Sequence, residues 1–325
     1  MTLSNQIHFR LKHWCPPVWM VKTKIHLFSL FSFRKYPLAD KANCLSCDPL
    51  FIISSGRSGT TLLRSMLVAS GEIAIPPETQ LIHKLPARFQ IHQRNGWKEA
   101  VKYVLSEFEG HQHFLLWKTN LAVVYREIFE LSKNERSLAR VIDFVYQTYA
   151  AQQFPNAILW GDQSPLYTFF LPTILSIFPN ARFVHLLRDG RDVVASFIEK
   201  DGIDTIDEAI YRWGQSIKRV RKAQKKIASN RFLEIRYEDL VTKPEEELRR
   251  ISTFLNIEYT SRMLDYWKLD STVESKAHSY HRNLEKPVFK SSIGGWKKRL
   301  SAAQQRTVQN KLKIELRSNG YLVEE

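Results

Sequence analysis

From residue 50 onward, short apolar runs alternate with longer stretches whose apolar residues recur at helical spacing. That alternation predicts an α/β fold, with a parallel central sheet and helices on both faces. The runs 50–54, 157–160, 182–187 and 232–235 are short and largely apolar, as strands covered on both sides must be. Helices are expected over 60–70, 167–178, 192–200, 207–228, 244–255 and 302–318, several opened by Ser, Thr or Asp that can accept from free first-turn N–H groups. Between the first two strands, 81–155 reads as a mostly helical insertion. Leu138, Val141, Ile142, Val145 and Tyr149 share one helix face there, so this segment either packs on the sheet or forms a lid. No internal repeat or low-complexity tract interrupts the order.

Composition adds size and charge to this picture. With 325 residues, 44% hydrophobic and 12% aromatic, the chain can bury an ample core. One domain over 49–325 is expected, preceded by a basic, aromatic extension over 1–48. The excess of 48 Lys+Arg over 33 Asp+Glu gives a formal charge of +15 and a pI near 9.7. Such a field concentrates polyanionic cofactors, acidic acceptors, nucleic acid or an anionic membrane, without choosing among them.

Cys15, Cys44 and Cys47 all precede residue 50, which disfavours a disulfide-built secreted fold and makes the cytoplasm the expected location. The Cys44–Cys47 spacing suits zinc or redox chemistry, but no second pair accompanies it. His278 and His281 likewise lack a third ligand, so no metal is expected. The apolar stretch 25–33, flanked by Lys22, Lys24, Arg34 and Lys35, is too short to span a bilayer and has no small-residue cleavage site after it. It either packs on the domain or makes peripheral contact with a membrane surface.

The chemistry begins at Ser54-Ser55-Gly56-Arg57-Ser58-Gly59-Thr60-Thr61, where an apolar strand breaks into a small-residue loop and continues as a helix. Glycines let backbone approach a ligand, and the helix start offers unpaired N–H groups at a positive dipole end, so the loop can cradle an anion. The alternative is a tight turn capped by Ser58 or Thr60. The common nucleotide loop, Gly-x-x-x-x-Gly-Lys-Ser/Thr, is absent: Gly59 follows Gly56 by three, and Thr60 comes next. A second anion site is suggested by Arg188, at a strand end, and Ser196, about two helical turns further on. The competing reading is that Asp189 to Asp192 makes surface salt bridges of little worth.

Taken together, these segments resemble the sulfotransferases that use 3'-phosphoadenosine 5'-phosphosulfate (PAPS), in order from about residue 50 to 300. The resemblance implies a P-loop NTPase-like fold, PAPS as cofactor with adenosine 3',5'-bisphosphate as product, no metal, and transfer to an acceptor hydroxyl. It implies that Arg57 stabilises charge on the leaving oxygen and that Ser58, Gly59, Thr60 and Thr61 hold the 5'-phosphate. Arg188 and Ser196 would hold the 3'-phosphate. Tyr237, in Arg236-Tyr237-Glu238-Asp239-Leu240, would neighbour the adenine. The stretch Phe289-Lys290-Ser291-Ser292-Ile293-Gly294-Gly295-Trp296-Lys297 resembles the family's closing segment but carries Phe289, Ser291 and Gly295 where Arg, Gly and Asp are usual. Its 3'-phosphate contacts would then fall to Lys290, Ser291 or Ser292.

An attacking hydroxyl needs a base, and Glu78 in Pro76-Pro77-Glu78-Thr79 resembles the glutamate after the first helix in tyrosylprotein and related sulfotransferases. The alternative for Glu78 is a cap or turn carboxylate before the helix near Leu81; His83 and His185 are rival bases. Gln163, in Trp160-Gly161-Asp162-Gln163-Ser164-Pro165, stands where the family usually has lysine. It can donate a hydrogen bond but brings no charge, and Lys118 is a candidate to supply one. Carbohydrate, tyrosyl peptide and small lipid or metabolite acceptors all stay open, anionic ones slightly favoured by the basic charge; nucleic acid is not expected. The rival readings are a P-loop kinase and a non-catalytic binding protein for polyanions or membranes.

Overall fold

Five parallel strands form the sheet in the order β2-β3-β1-β4-β5: β1 (Leu50–Ile53), β2 (Ile73–Ala74), β3 (Leu159–Gln163), β4 (Arg182–Leu187) and β5 (Phe232–Arg236). The computed structural model describes residues 35–200, 205–268 and 284–322. Every residue of central β1 is buried, and its side chains divide with the strand period of two. Phe51 and Ile53 join one core and Leu50 and Ile52 the other. Ile52 pairs with Gln163 on β3 and with Val184 on β4, so the segments that follow these strands emerge side by side at the carboxyl end of the sheet. Open parallel sheets bind ligands at that edge.

On the Leu50 face lie α1 (Thr60–Val68) and, later in the chain, the helix Pro244–Leu255. The opposite face is covered by the insertion, built of α2 (Leu85–His92), α3 (Trp97–Glu109), α4 (Tyr125–Glu130) and α5 (Leu138–Gln153) with short 3-10 turns between them. Of the two expectations for this segment, packing is the one observed: Val141, Ile142, Val145 and Tyr146 share a core with Phe51, and Tyr146 stacks on Trp160 at 4.4 Å. Residues 35–48 brace α5, the carbonyls of Pro37 and Leu38 accepting from Leu138 and Ala139 and Ser46 donating to buried Asp143 at 2.6 Å. Burial pushes the Asp143 carboxyl up.

The remaining helices are α6 (Leu171–Ile177), α7 (Gly190–Lys200), α8 (Ile206–Gln224), α9 (Tyr237–Thr242), α10 (Pro244–Leu255), α11 (Trp296–Arg299) and α12 (Ala302–Ser318). A third core, around Val194, Trp213, Trp296 and Leu312, joins α7, α8, α11 and α12. The bounds of α10 and α12 agree with the sequence pattern, and Ser301 with Gln304 forms a capping box at the start of α12.

One strand has no counterpart among the expected elements, and two expectations need correction. β2 has only two residues, too few to show a period. β3 starts two residues later than the apolar run and extends through Gly161, Asp162 and Gln163, polar residues that the sheet nevertheless buries. Gly161 permits this, since a Cβ there would fall 2.9 Å from the Leu50 carbonyl. The helix expected over 167–178 is instead a 3-10 turn, Pro165–Phe169, followed by α6, because Leu171 and Pro172 begin a new helix.

The stretch 25–33, Cys15, His278 and His281 lie outside the described residues. Cys44 and Cys47 are free thiols, and among the described residues no group of three or more His, Cys, Asp or Glu could hold a metal ion. No helix among them is long and apolar enough to cross a membrane.

Candidate active site

The loop between β1 and α1 owes its shape to three residues in the left-handed region, Gly56 (φ 89°), Arg57 (φ 51°) and Gly59 (φ 89°). Neighbours press on both glycines. A Cβ at Gly56 would fall 2.9 Å from the Phe197 ring, and one at Gly59 would fall 2.6 Å from Tyr237. Ser54 Oγ accepts from the Gly56 N–H at 3.0 Å, and Ser58 Oγ donates to the Gly56 carbonyl at 3.0 Å. The Ser58 hydroxyl is thus used inside the loop, and its N–H is the group left to offer an anion. No side chain caps α1, so the reading of this loop as a turn capped by Ser58 or Thr60 is set aside. Its first turn keeps uncapped N–H donors at the positive end of the helix.

A cleft of about 630 Å³ opens above this loop. Arg57, Gly59, Thr60, Thr61, Glu78, Arg188, Ser196, Tyr237, Ser291 and Ser292, distant in sequence, all line it. Arg57 Nε donates to Ser196 Oγ at 3.2 Å, which joins the loop to α7. Arg188 donates to the Arg57 carbonyl at 2.8 Å and to the Ser292 carbonyl at 2.9 Å, and its guanidinium lies 4.3 Å from the Tyr237 ring centroid. Tyr237 and Ser292 share a hydrogen bond of 2.7 Å between their hydroxyls. Arg188 is held from behind by Trp213, whose indole N–H donates to its carbonyl at 3.1 Å.

The closing segment is tied down by Asp192 on α7. Its carboxylate accepts from the N–H groups of Gly294 and Trp296, each at 2.8 Å, and from Arg299 at 3.3 Å. Burial pushes the Asp192 carboxyl up, against the pull of Arg188 and the two backbone donors. Asp189 and Arg191 do pair with each other, but the pair is buried and not the surface salt bridge expected, while Arg188 and Ser196 turn into the cleft. Lys290 is exposed and does not line the cleft, whereas Ser291 and Ser292 do.

Glu78 reaches the cleft from the Pro76-Pro77 turn. Trp117 Nε1 donates to the Pro77 carbonyl at 2.8 Å, and His113 Nδ1 donates to the Glu78 carbonyl at 2.9 Å, so the turn is fixed from the insertion. The carboxylate accepts from Ser164 Oγ at 2.8 Å and from Gln163 Nε2 at 3.4 Å. It caps no helix, because α2 begins only after Lys84. Neither rival base lines the cleft. His83 stacks on Phe170 at 4.0 Å, and burial pushes its ring down to about 3. His185 is buried beneath the sheet edge, with Nδ1 donating to Glu234 at 2.9 Å, and burial pushes it down as well. Lys118 sits in a left-handed turn of the insertion and does not line the cleft, so it does not stand in for the missing lysine.

Arg212, Lys298 and Arg299, none of them among the expected site residues, also line the cleft. Lys297-Lys298-Arg299 directly after Trp296 was a visible signal; Arg212 had none, since its place depends on how α8 packs on Phe197, 4.8 Å away.

A family model for the sulfotransferase family matches residues 49–261, well over half of the chain. The chain belongs to the sulfotransferase family. This membership displaces the kinase reading. The sulfotransferase is 27% identical over 226 residues to a putative protein-tyrosine sulfotransferase of Caenorhabditis briggsae, covering 68% of this chain and 69% of that one. It is 25% identical over 284 residues to omega-hydroxy-beta-dihydromenaquinone-9 sulfotransferase Stf3 of Mycobacterium bovis, covering 73% of this chain and 70% of that one. The chain spans about half the length of some other relatives, such as the protein-tyrosine sulfotransferase of Drosophila melanogaster, at 26% identity, 76% of this chain and 46% of that one. Among solved structures, the sulfotransferase domain of the Synechococcus PCC 7002 olefin synthase superposes with a TM-score of 0.61 at 22% identity, over 88% of this chain and 98% of that domain. The two share a fold.

Proposed function

We propose that this sulfotransferase moves the sulfuryl group of PAPS to a hydroxyl of its acceptor, with Glu78 as general base. The observation that carries the reading is the meeting, in one cleft, of the Gly56–Thr61 loop, the Arg188–Ser196 pair and the Glu78 carboxylate, contributed by three separate stretches of chain. The residues present fit the cofactor. Arg188 Nε is buried with no hydrogen-bond partner among the described residues, as expected of a donor kept for an anion.

PAPS supplies an activated sulfuryl group on a phosphate leaving group. The uncapped N–H groups at the start of α1 and the hydroxyls of Thr60 and Thr61 suit its 5' end, and Arg188 with Ser196 and Ser292 suits the 3'-phosphate. Arg57 places a permanent positive charge at the loop, where charge develops on the departing oxygen. Glu78 takes the acceptor's hydroxyl proton as its oxygen attacks, and Ser164 keeps the carboxylate turned to the cleft. Tyr237 packs against Gly59 and Arg188 and so serves as a wall of the nucleotide end.

Leu62, Leu166, Tyr266, Leu284, Val288 and Phe289 make part of the cleft apolar, which favours an acceptor whose hydroxyl sits on an aromatic or aliphatic body. Tyrosyl-protein and quinone sulfotransferases are both among the relatives, in keeping with that range. The test is mass spectrometry of tyrosyl peptides, lipid alcohols and carbohydrates incubated with PAPS, looking for the gain of one sulfuryl group. Glu78→Gln should keep affinity for adenosine 3',5'-bisphosphate and lose about 10²–10⁴-fold in turnover. Wild-type turnover in that variant contradicts the assignment of the base.

A further inference from the structure

Gln163 is almost wholly buried at the end of β3, paired in register with Ile52 at the root of the anion loop. Its amide has two N–H donors, and both have partners inside the protein. Nε2 donates to Thr60 Oγ1 at 3.0 Å and to Glu78 Oε2 at 3.4 Å. The amide therefore has no donor left for a transferred group, unlike the role open to it from sequence alone. By donating to Thr60 it occupies a lone pair of that hydroxyl and leaves the Thr60 proton free to point at an anion. By donating to Glu78 it fixes the second carboxylate oxygen, the first being held by Ser164.

We propose that Gln163 is a positioning residue, a neutral strut that ties the Thr60 end of the anion loop to the Glu78 carboxylate. This rests on the reading of Glu78 as the base. Because both bonds start from the same amide nitrogen, Gln163 holds the Thr60 hydroxyl and the Glu78 carboxylate at a fixed spacing, so the geometry of the filled loop and that of the base are set together. A lysine at this position would place an ammonium beside the carboxylate and hold it ionised more tightly, making it a weaker base. Glutamine keeps the geometry without that charge.

Other charged or titratable groups around Glu78 come from every neighbouring element. They include Arg57 on the loop, which shares the cleft, Tyr167 behind Gln163, and His113 on the insertion. Substituting Gln163 leaves all of these chemically unchanged, so a shift in Glu78 reports on the strut.

The experiment is a ¹³C NMR titration of carboxyl-labelled glutamate in the full chain, with the Glu78 resonance assigned by its loss in Glu78→Gln. Gln163→Lys should lower the Glu78 midpoint by about 1–3 pH units and Gln163→Glu should raise it. Thr60→Val, which keeps volume and leaves Gln163 in place, should also shift the midpoint by freeing the far end of the strut; it supplies the answer if a buried charge prevents folding. Calorimetry with adenosine 3',5'-bisphosphate should show Thr60→Val and Gln163→Met to be non-additive. Unchanged Glu78 midpoints in the folded variants, or strictly multiplicative losses of affinity, overturn the proposal. Failure of the wild type to bind the bisphosphate would instead sink the functional reading, while the NMR titration would still decide the strut.

Discussion

The two walls of the cleft are made by different means. One, Gly56 to Thr61, is a single short stretch whose form is written in its backbone, with three left-handed residues and no side chain capping the helix that follows. The other, from Val288 to Arg299, has little regular structure and is held by side chains more than a hundred residues away in sequence, Asp192 gripping Gly294 and Trp296 and Arg188 gripping Ser292. A wall fixed by backbone fails when a side chain is added. A tethered wall fails when one is removed.

Of the two walls, the backbone one should show the larger effect, through its chemistry. Arg57→Ala removes the charge proposed to stabilise the leaving oxygen and should cost about 10²–10³-fold in kcat with the fold retained, as read by turnover and circular dichroism. Next, Gly59→Ala forces a Cβ into Tyr237 at positive φ and should destabilise by about 2–4 kcal/mol in denaturant unfolding. On the tethered wall, Asp192→Ala frees two backbone donors and should weaken bisphosphate binding by about tenfold, with a smaller loss of stability than Gly59→Ala.

The smallest effect should lie beneath both walls. Burial would raise the Glu234 carboxyl, but hydrogen bonds from His185 and Arg221 hold it at about 2, below its ordinary 4.5. A carboxyl depressed by folding contributes stability above about 4.5 that is lost as pH falls toward about 2. Unfolding curves should show that acid slope in the wild type and not in Glu234→Gln.

The same contrast explains what the sequence made legible. Gly56, Gly59 and the small residues between them announce a backbone device, and the run from Phe178 to Ser196 carries Arg188 and Ser196 on elements whose spacing could be read directly. Glu78 was accessible through its resemblance to the family's glutamate after the first helix, in a turn that two prolines enter. By contrast, β2 is too short for a period, and the polar end of β3 is buried only because Gly161 lets β1 approach. Arg212 and Arg299 enter the cleft through the packing of α8 and the grip of Asp192, which no local pattern encodes. Gln163 looked like a lost charge, and only the distances to Thr60 and Glu78 show what its amide holds.

The central claim is that one cleft recognises both ends of a 3'-phosphorylated nucleotide. Isothermal titration of the wild-type chain with adenosine 3',5'-bisphosphate and with 5'-AMP tests it most directly. The bisphosphate should bind at least about tenfold more tightly, the difference expected for charge-assisted bonds from Arg188 to the 3'-phosphate. Equal affinities, or no binding of either, would contradict the account.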